Sequence, residues 1–165
     1  VYNTNGYENS ETLKMLEGYI DIYLPDLKYY YNELGKKYSK VDNYFKIATT
    51  AIKEMYRQVG APQLNENGIM KKGLMIRHLI LPNQIENSKQ ILKWIKENLD
   101  NNVYVSIMAQ YFPTYKAKEL DELNRKLTKD EYEEVENYLY ELNLENGYIQ
   151  ELGEHEEEYV PKWNC

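Results

Sequence analysis

The chain has 165 residues, of which 42% are hydrophobic, and a formal net charge of −7 at pH 7. This length is enough for one globular domain, and no apolar run approaches the ~20 residues of a membrane-spanning helix. The acidic balance argues against a nucleic-acid partner, which needs a basic face. The single cysteine, Cys165, cannot form an internal disulfide, and no signal peptide is visible, so we expect a cytoplasmic protein.

The first half of the chain alternates between strand and helix signals. Its predicted elements are a strand end at residues 1–4, a turn at Asn5-Gly6, a helix at 11–17, a strand at 20–24 whose pairing Pro25 ends, and a helix at 32–38. A long helix follows, capped by Asp42 and ended by Gly60.

The second half continues the alternation. Its predicted elements are a hairpin within residues 61–73, a strand at 74–81, a helix capped by Ser88, a strand at 103–109, and a helix that opens with the capping box of Thr128 and Glu131 and stops at Asn146-Gly147. Strands that alternate with helices predict right-handed βαβ units and a parallel sheet. We therefore expect an α/β fold with four parallel strands in chain order and helices on one face.

The chain is predicted to contain one folded body and one tail. Residues 1–150 carry the alternating pattern, and residues 151–165 form an acidic C-terminal tail in which His155 is solvated. The sequence has neither a glycine-rich phosphate loop nor a nucleophile elbow, and its two histidines and one cysteine form no visible metal site.

Polar side chains collect at the ends of three predicted strands. They are Asp26 and Lys28, Arg77 and His78, and Gln110 and Tyr111. In parallel α/β proteins, ligands bind at the carboxyl ends of the strands. These residues are therefore candidates for a binding site.

Arg77 is the most informative of these residues, because it lies within an apolar strand and a buried arginine must be paired. It would either clamp a carboxylate or phosphate of a ligand or form a structural ion pair, for which Asp26 is a candidate. Asp26 and Lys28 either orient a polar ligand or form a loop ion pair of small energetic consequence. His78 faces the opposite side of the strand and is interpreted as a core histidine.

Five segments carry a resemblance to a known family. They are YNTNGYE, IYLPDLKYY, MIRHLILP, MAQYFPTYKA and ELNRKLTKDEYEEVENYLYELNLENGYIQ. In this order and separation they resemble the radical S-adenosylmethionine proteins of the pyruvate formate-lyase activating enzyme type, and most closely the subgroup of uncharacterised iron–sulfur homologues. The similarity extends to about Gln150.

The resemblance implies a parallel-stranded partial TIM-type barrel of six βα units, of which this chain would hold the end of the third strand to the sixth. It also implies that S-adenosylmethionine is held over a four-iron four-sulfur cluster. The matching cofactor contacts are Asp26, Lys28 and Arg77, with Asn3 where the family has an acidic residue and Tyr111 where it has a histidine.

The family's cluster motif, CxxxCxxC, and its Gly-Gly-Glu stretch are missing from this sequence. Three thiolates are needed to hold the cluster, so we expect a C-terminal fragment that is inactive alone and self-associates. The intact enzyme would cleave S-adenosylmethionine to a 5′-deoxyadenosyl radical and take hydrogen from a glycyl-radical enzyme or other protein substrate. The alternatives are a small α/β binding or assembly domain without catalysis, or a different enzyme on a barrel fragment.

Overall fold

A computed structural model of the chain describes residues 1–144 and 146–149. The predicted acidic tail, with His155 and Cys165, lies outside the described residues. Among the described helices, none is both long enough and apolar enough to cross a membrane.

The described chain contains six strands and five α-helices. The strands are β1 (Tyr2–Thr4), β2 (Ile22–Pro25), β3 (Gln63–Leu64), β4 (Met70–Leu79), β5 (Tyr104–Met108) and β6 (Gly147–Ile149). The helices are α1 (Ser10–Met15), α2 (Asn32–Leu34), α3 (Tyr44–Val59), α4 (Ile85–Asn98) and α5 (Lys129–Glu141). A π-helical turn, Gly35–Ser39, follows α2, and a 3₁₀ segment, Tyr115–Glu119, follows β5.

The strands form a sheet in the order β1-β2-β4-β5-β6, and every neighbouring pair in this order is parallel. The α/β fold with a parallel sheet is therefore confirmed. The predicted hairpin is also confirmed, because β3 pairs antiparallel with the start of β4.

The prediction of four parallel strands is wrong, because β6 adds a fifth. This strand has only three residues, too few for a clear alternating pattern. Its first residue, Gly147, has a φ of 141°, and a Cβ there would lie 1.9 Å from the Val105 carbonyl oxygen. Gly147, which we interpreted as a helix stop, therefore also permits close approach to β5.

Burial alternates along the strands and separates the two faces of the sheet. In β4, Ile76 and His78 are buried, whereas Met75 and Arg77 between them are partly exposed. His78 bonds to Ser88 of α4, so the buried face is the one that α4 covers. We call the other face, with Met75 and Arg77, the open face.

Two predicted helix caps are wrong, because both helices begin at other residues. Asp42 forms an ion pair with Lys36 at 2.7 Å, and α3 instead begins after Asn43, which makes no side-chain cap. Ser88 lies inside the first turns of α4, where its hydroxyl contacts His78. The capping box of Thr128 and Glu131 at the start of α5 is confirmed.

Candidate functional site

Arg77 joins polar side chains from neighbouring strands on the open face. Its Nη2 lies 2.6 Å from Asp26 Oδ1 and donates a hydrogen bond of 2.7 Å to Asn3 Oδ1. Lys28 Nζ lies 3.5 Å from Asp26 Oδ2. Four of the five predicted site residues therefore form one continuous group, which we call the Arg77 cluster: Asn3, Asp26, Lys28 and Arg77.

The parallel register explains this convergence. Asp26 lies directly opposite Arg77 in an isolated parallel bridge, so the two side chains emerge on the same face. The prediction that pairing stops at Pro25 is wrong, because the Asp26 amide donates to the Thr4 carbonyl at 2.9 Å and the Leu27 amide donates to the Arg77 carbonyl at 2.9 Å. Proline removes only its own donor, and the ladder continues past it.

Gly6 lets the chain after β1 pass close to Asp26. Its φ is 80°, and a Cβ at this position would lie 2.2 Å from the Asp26 carbonyl oxygen. The Gly6 amide donates to the Thr4 hydroxyl at 3.2 Å, which closes the turn. A glycine is therefore required both for the backbone conformation and for the space beside Asp26.

The Arg77 cluster has unused hydrogen-bonding capacity. The side chains of Asp26 and Arg77 are only 17% and 27% exposed. Arg77 Nε is buried and makes no hydrogen bond to the described residues, whereas the buried Asp26 Oδ1 lies 2.6 Å from Arg77 Nη2 as its ion-pair partner. A buried donor without a partner costs about 1–3 kcal/mol, so a ligand acceptor that reached Arg77 Nε would gain a hydrogen bond there.

Tyr111, the fifth predicted site residue, lies apart from the Arg77 cluster. Its hydroxyl donates to the Leu123 carbonyl at 2.9 Å, and burial raises its pKa. Tyr111 nevertheless lines the same cavity as Asp26 and Lys28. Tyr111 therefore contributes to the lining of the site, but its hydroxyl is hydrogen-bonded within the loop after β5.

The cavity, which we call the strand-end cavity, has a volume of about 420 Å³. Leu79 and Met108 contribute to its lining from β4 and β5, while the π-helical turn and the 3₁₀ segment contribute from the loops. Its size falls within the ~300–1,000 Å³ of small-molecule sites. The carboxyl ends of parallel strands and an apolar lining with a few polar groups are typical of ligand sites.

His78 holds the Asp26–Lys28 segment in place from the buried face. Its Nδ1 lies 2.7 Å from the Leu27 carbonyl oxygen, and its Nε2 lies 2.8 Å from Ser88 Oγ. Since a carbonyl only accepts, Nδ1 carries the proton and Nε2 accepts from the Ser88 hydroxyl. Burial lowers the pKa of His78 to about 4, which keeps the ring neutral at pH 7. The prediction of a core histidine is confirmed.

Two more buried polar side chains fix the backbone around Lys28. Asn87 Oδ1 accepts from the Tyr30 amide at 2.8 Å, and its Nδ2 donates to the Lys28 carbonyl at 3.0 Å. The Tyr44 hydroxyl accepts from the Lys28 amide at 3.0 Å and lies 3.1 Å from the Asp26 carbonyl oxygen. Burial raises the pKa of Tyr44, so the hydroxyl stays protonated. The site segment is therefore pre-organised.

Sequence reasoning missed the supporting roles of Asn87 and Ser88, although a signal was present. Both lie at helical spacing from the buried Ile91, Leu92 and Ile95, on the apolar side of α4. Polar residues on an apolar helix face need buried partners, and here the partners are backbone groups and His78 at the strand end.

The site residues offer no ligand set for an iron–sulfur cluster. Within residues 1–144 and 146–149, no group of three histidine, cysteine or acidic residues could hold a metal ion. The whole sequence contains one cysteine, whereas such a cluster needs at least three thiolates.

Comparison with known proteins identifies one informative similarity. No family model matches the chain. An uncharacterized protein of Methanocaldococcus jannaschii is 39% identical over 149 residues, which is 90% of this chain and 40% of the relative. The chain thus spans about 40% of the length of this curated relative, whose name assigns no activity.

Proposed function

We propose that this chain is the S-adenosylmethionine-contacting C-terminal portion of a radical S-adenosylmethionine protein of the glycyl-radical-enzyme activase type, and that its sheet is an arc of a partial βα barrel. The observation that carries this proposal is the Arg77 cluster on the open face. The sequential strand order supports it, because parallel strands added in chain order are what such an arc requires.

The chemistry of the Arg77 cluster fits the cofactor's polar end. The Arg77 guanidinium, with its spare Nε, suits a carboxylate. The Asp26 carboxylate, whose Oδ2 lies 3.5 Å from Lys28 Nζ, can still accept a hydrogen bond from an ammonium or a ribose hydroxyl. The apolar side chains of Leu79 and Met108 in the strand-end cavity suit the adenine ring.

The chain's own residues would bind and orient the cofactor. S-adenosylmethionine beside a reduced cluster supplies a carbon radical for hydrogen abstraction from a partner such as a glycyl-radical enzyme. This chain cannot hold that cluster with one cysteine, so no cleavage step is assigned to it. Arg77 would neutralise the ligand carboxylate, and the His78 and Asn87 hydrogen bonds would keep Asp26 and Lys28 in position.

The same single cysteine favours a second candidate function, a small α/β binding or assembly domain without catalysis. The two candidates differ in what the complete reading frame encodes. A CxxxCxxC motif upstream, together with cluster absorbance and formation of 5′-deoxyadenosine by the full-length protein, would support the activase proposal. A full-length protein without that motif would leave the binding domain as the better candidate.

Calorimetry of the chain with S-adenosylmethionine and S-adenosylhomocysteine tests the cofactor contacts. We expect weak binding, and Arg77→Ala should weaken it at least about tenfold because a charge-assisted hydrogen bond is lost. Arg77→Lys keeps the charge and removes the planar fork, so it should weaken binding without loss of the fold. The matched control is Arg57→Ala, since Arg57 also pairs with carboxylates, at 2.7 and 2.8 Å, but lies on the exposed side of α3.

Two outcomes would contradict the proposal. One is submicromolar binding by this chain alone, because the cluster that would chelate the cofactor is missing. The other is binding that persists unchanged in both Arg77 variants, which would place the ligand elsewhere.

A further inference from the structure

We infer that the strand-end cavity binds a small organic anion, with its carboxylate or phosphate held between Lys40 and Lys116 and its apolar or aromatic body inside the cavity. The two lysines belong to different loops and to neither strand of the Arg77 cluster. The proposed function gives the same cavity to an adenine ring, but this inference does not rest on that assignment: it assigns a ligand class to the cavity from Lys40, Lys116 and the apolar lining alone.

The cavity carries a local excess of positive charge in an acidic protein. Its lining includes four lysines and two carboxylates: Lys28, Lys37, Lys40, Lys116, Asp26 and Glu119. The whole chain has a net charge of −7. An anion would therefore be attracted to this concave surface while the rest of the protein repels it.

Lys40 and Lys116 are available for a ligand. Lys28 lies near Asp26, and Lys37 pairs with Glu122. In contrast, neither Lys40 nor Lys116 forms an ion pair with any described residue. Among the described residues, Lys40 Nζ donates only to the Lys37 carbonyl, at 3.1 Å, and Lys116 Nζ lies 5.6 Å from the ring centre of Tyr115.

The backbone has an unusual conformation at or next to both lysines, in the two loops that line the cavity. Lys40 has a φ of 58° and follows the π-helical turn Gly35–Ser39. Tyr115, which precedes Lys116, has a φ of 48° at the start of the 3₁₀ segment. Left-handed non-glycine residues and π-helical turns are uncommon and concentrate at functional sites. Two left-handed residues, Lys40 itself and Tyr115 beside Lys116, in loops that line one cavity favour a built site over an incidental depression.

The lining explains why the ligand should carry an apolar body. The cavity is lined by the aliphatic and thioether side chains of Leu79, Leu81, Met108, Leu120 and Leu123 and by the rings of Tyr29, Tyr38 and Tyr111. Burial raises the pKa of Tyr38 to about 12, so its hydroxyl stays protonated at neutral pH. Apolar and aromatic walls together with the exposed Lys40 and Lys116 match an amphiphilic anion.

Three small probes of similar size test the inference with the full chain. Phenyl phosphate and 3-phenylpropanoate are anions, and 3-phenylpropanamide is a neutral matched compound. We expect both anions to bind in the millimolar range, the amide to bind about tenfold more weakly, and added salt to weaken only the anions. The tighter anion identifies the group that the site prefers. Binding is measured by chemical-shift changes in heteronuclear NMR spectra.

A double variant, Lys40→Gln with Lys116→Gln, should lose about tenfold in anion affinity, since each exposed charge contributes modestly. The matched control, Lys71→Gln with Lys93→Gln, removes the same net charge from exposed positions outside the cavity. Equal binding of the amide and the anions, equal affinity in the wild type and the cavity double variant, or no binding of any probe below about 10 mM would each overturn the inference.

The cofactor experiment separates this inference from the proposed function. If the wild-type chain binds the anions but not S-adenosylhomocysteine, the result contradicts the proposed function alone. If the chain binds S-adenosylhomocysteine but none of the anions, the result contradicts this inference alone.

Discussion

Arg77 Nη2 lies 2.6 Å from Asp26 Oδ1, and the two residues are partners in parallel register between the strand ends of β2 and β4. The ion pair therefore bridges two neighbouring strands from the open face. It holds the guanidinium in place before any ligand arrives, which lowers the entropic cost of binding. The Arg77 Nε is buried and makes no hydrogen bond to the described residues.

Asp26→Ala should lower the free energy of unfolding by about 1–2 kcal/mol, because a mostly buried Arg77 would lose its carboxylate partner. Urea denaturation measures this change. The matched control is Glu17→Ala, which breaks an exposed pair with Arg57 and should cost less than about 0.5 kcal/mol. Equal effects of the two substitutions would contradict a structural role for the Asp26–Arg77 pair.

The stability of the protein should decrease as the pH falls from about 6.5 to about 4, because of His78. In this pH window the histidine of the unfolded chain binds a proton, whereas the buried ring of the native protein does not. Proton binding therefore stabilises the unfolded state relative to the native state. The full effect is on the order of 3 kcal/mol. His78→Asn retains a donor for the Leu27 carbonyl and has no titrating ring, so this pH dependence should disappear. An unchanged pH profile in that variant would contradict the assignment.

Asn87→Ala should cost about 1–3 kcal/mol, because the Lys28 carbonyl and the Tyr30 amide would lose their side-chain partner. Hydrogen exchange of the Tyr30 amide should become faster. The control is Asn98→Ala at the exposed end of the same helix, which should change stability by less than about 0.5 kcal/mol. Slow exchange at Tyr30 in Asn87→Ala would show that another contact holds the segment.

We expect the chain to self-associate at low micromolar concentration. Among the described strands, β1 pairs only with β2, so its other edge is open, and apolar side chains such as Leu24 and Met75 are partly exposed. Leu24→Lys should shift the equilibrium to monomer in light scattering. The control is Met15→Lys at a helix position that is 78% exposed. A wild-type chain that is monomeric throughout would contradict the prediction.

The sequence predicted the parts of the fold that repeat with a simple period. Alternating strands and helices indicated the parallel sheet, and parallel register brings Asp26 and Arg77 together once both are placed at strand ends. The same local reasoning failed for Asp42 and Ser88. Their side chains suit a helix cap, but α3 begins after Asn43 and α4 after Gln84. Ser88 instead contacts His78 from inside α4, and no local pattern reveals that partner.

The loops that form the strand-end cavity were the least predictable part. Residues 32–38 read as one helix, but the chain forms one short α-helical turn and then a π-helical turn that ends in the left-handed Lys40. Tyr111 was placed near the site by its position after β5, but the 3₁₀ segment and the Leu123 carbonyl decide where its hydroxyl points. Such conformations depend on packing between loops that are distant in sequence.

Gly6 and Asn3 belong to the same short segment, but different physical constraints determine which residue each position can hold. A side chain at position 6 would collide with the Asp26 backbone, so any protein with this backbone needs glycine there whether or not it binds a ligand. Asn3 is exposed, and its contact is with the Arg77 guanidinium. Among related proteins that share this fold, we therefore expect Gly6 to be retained. We expect Asn3 to vary with the molecule that the Arg77 cluster would bind.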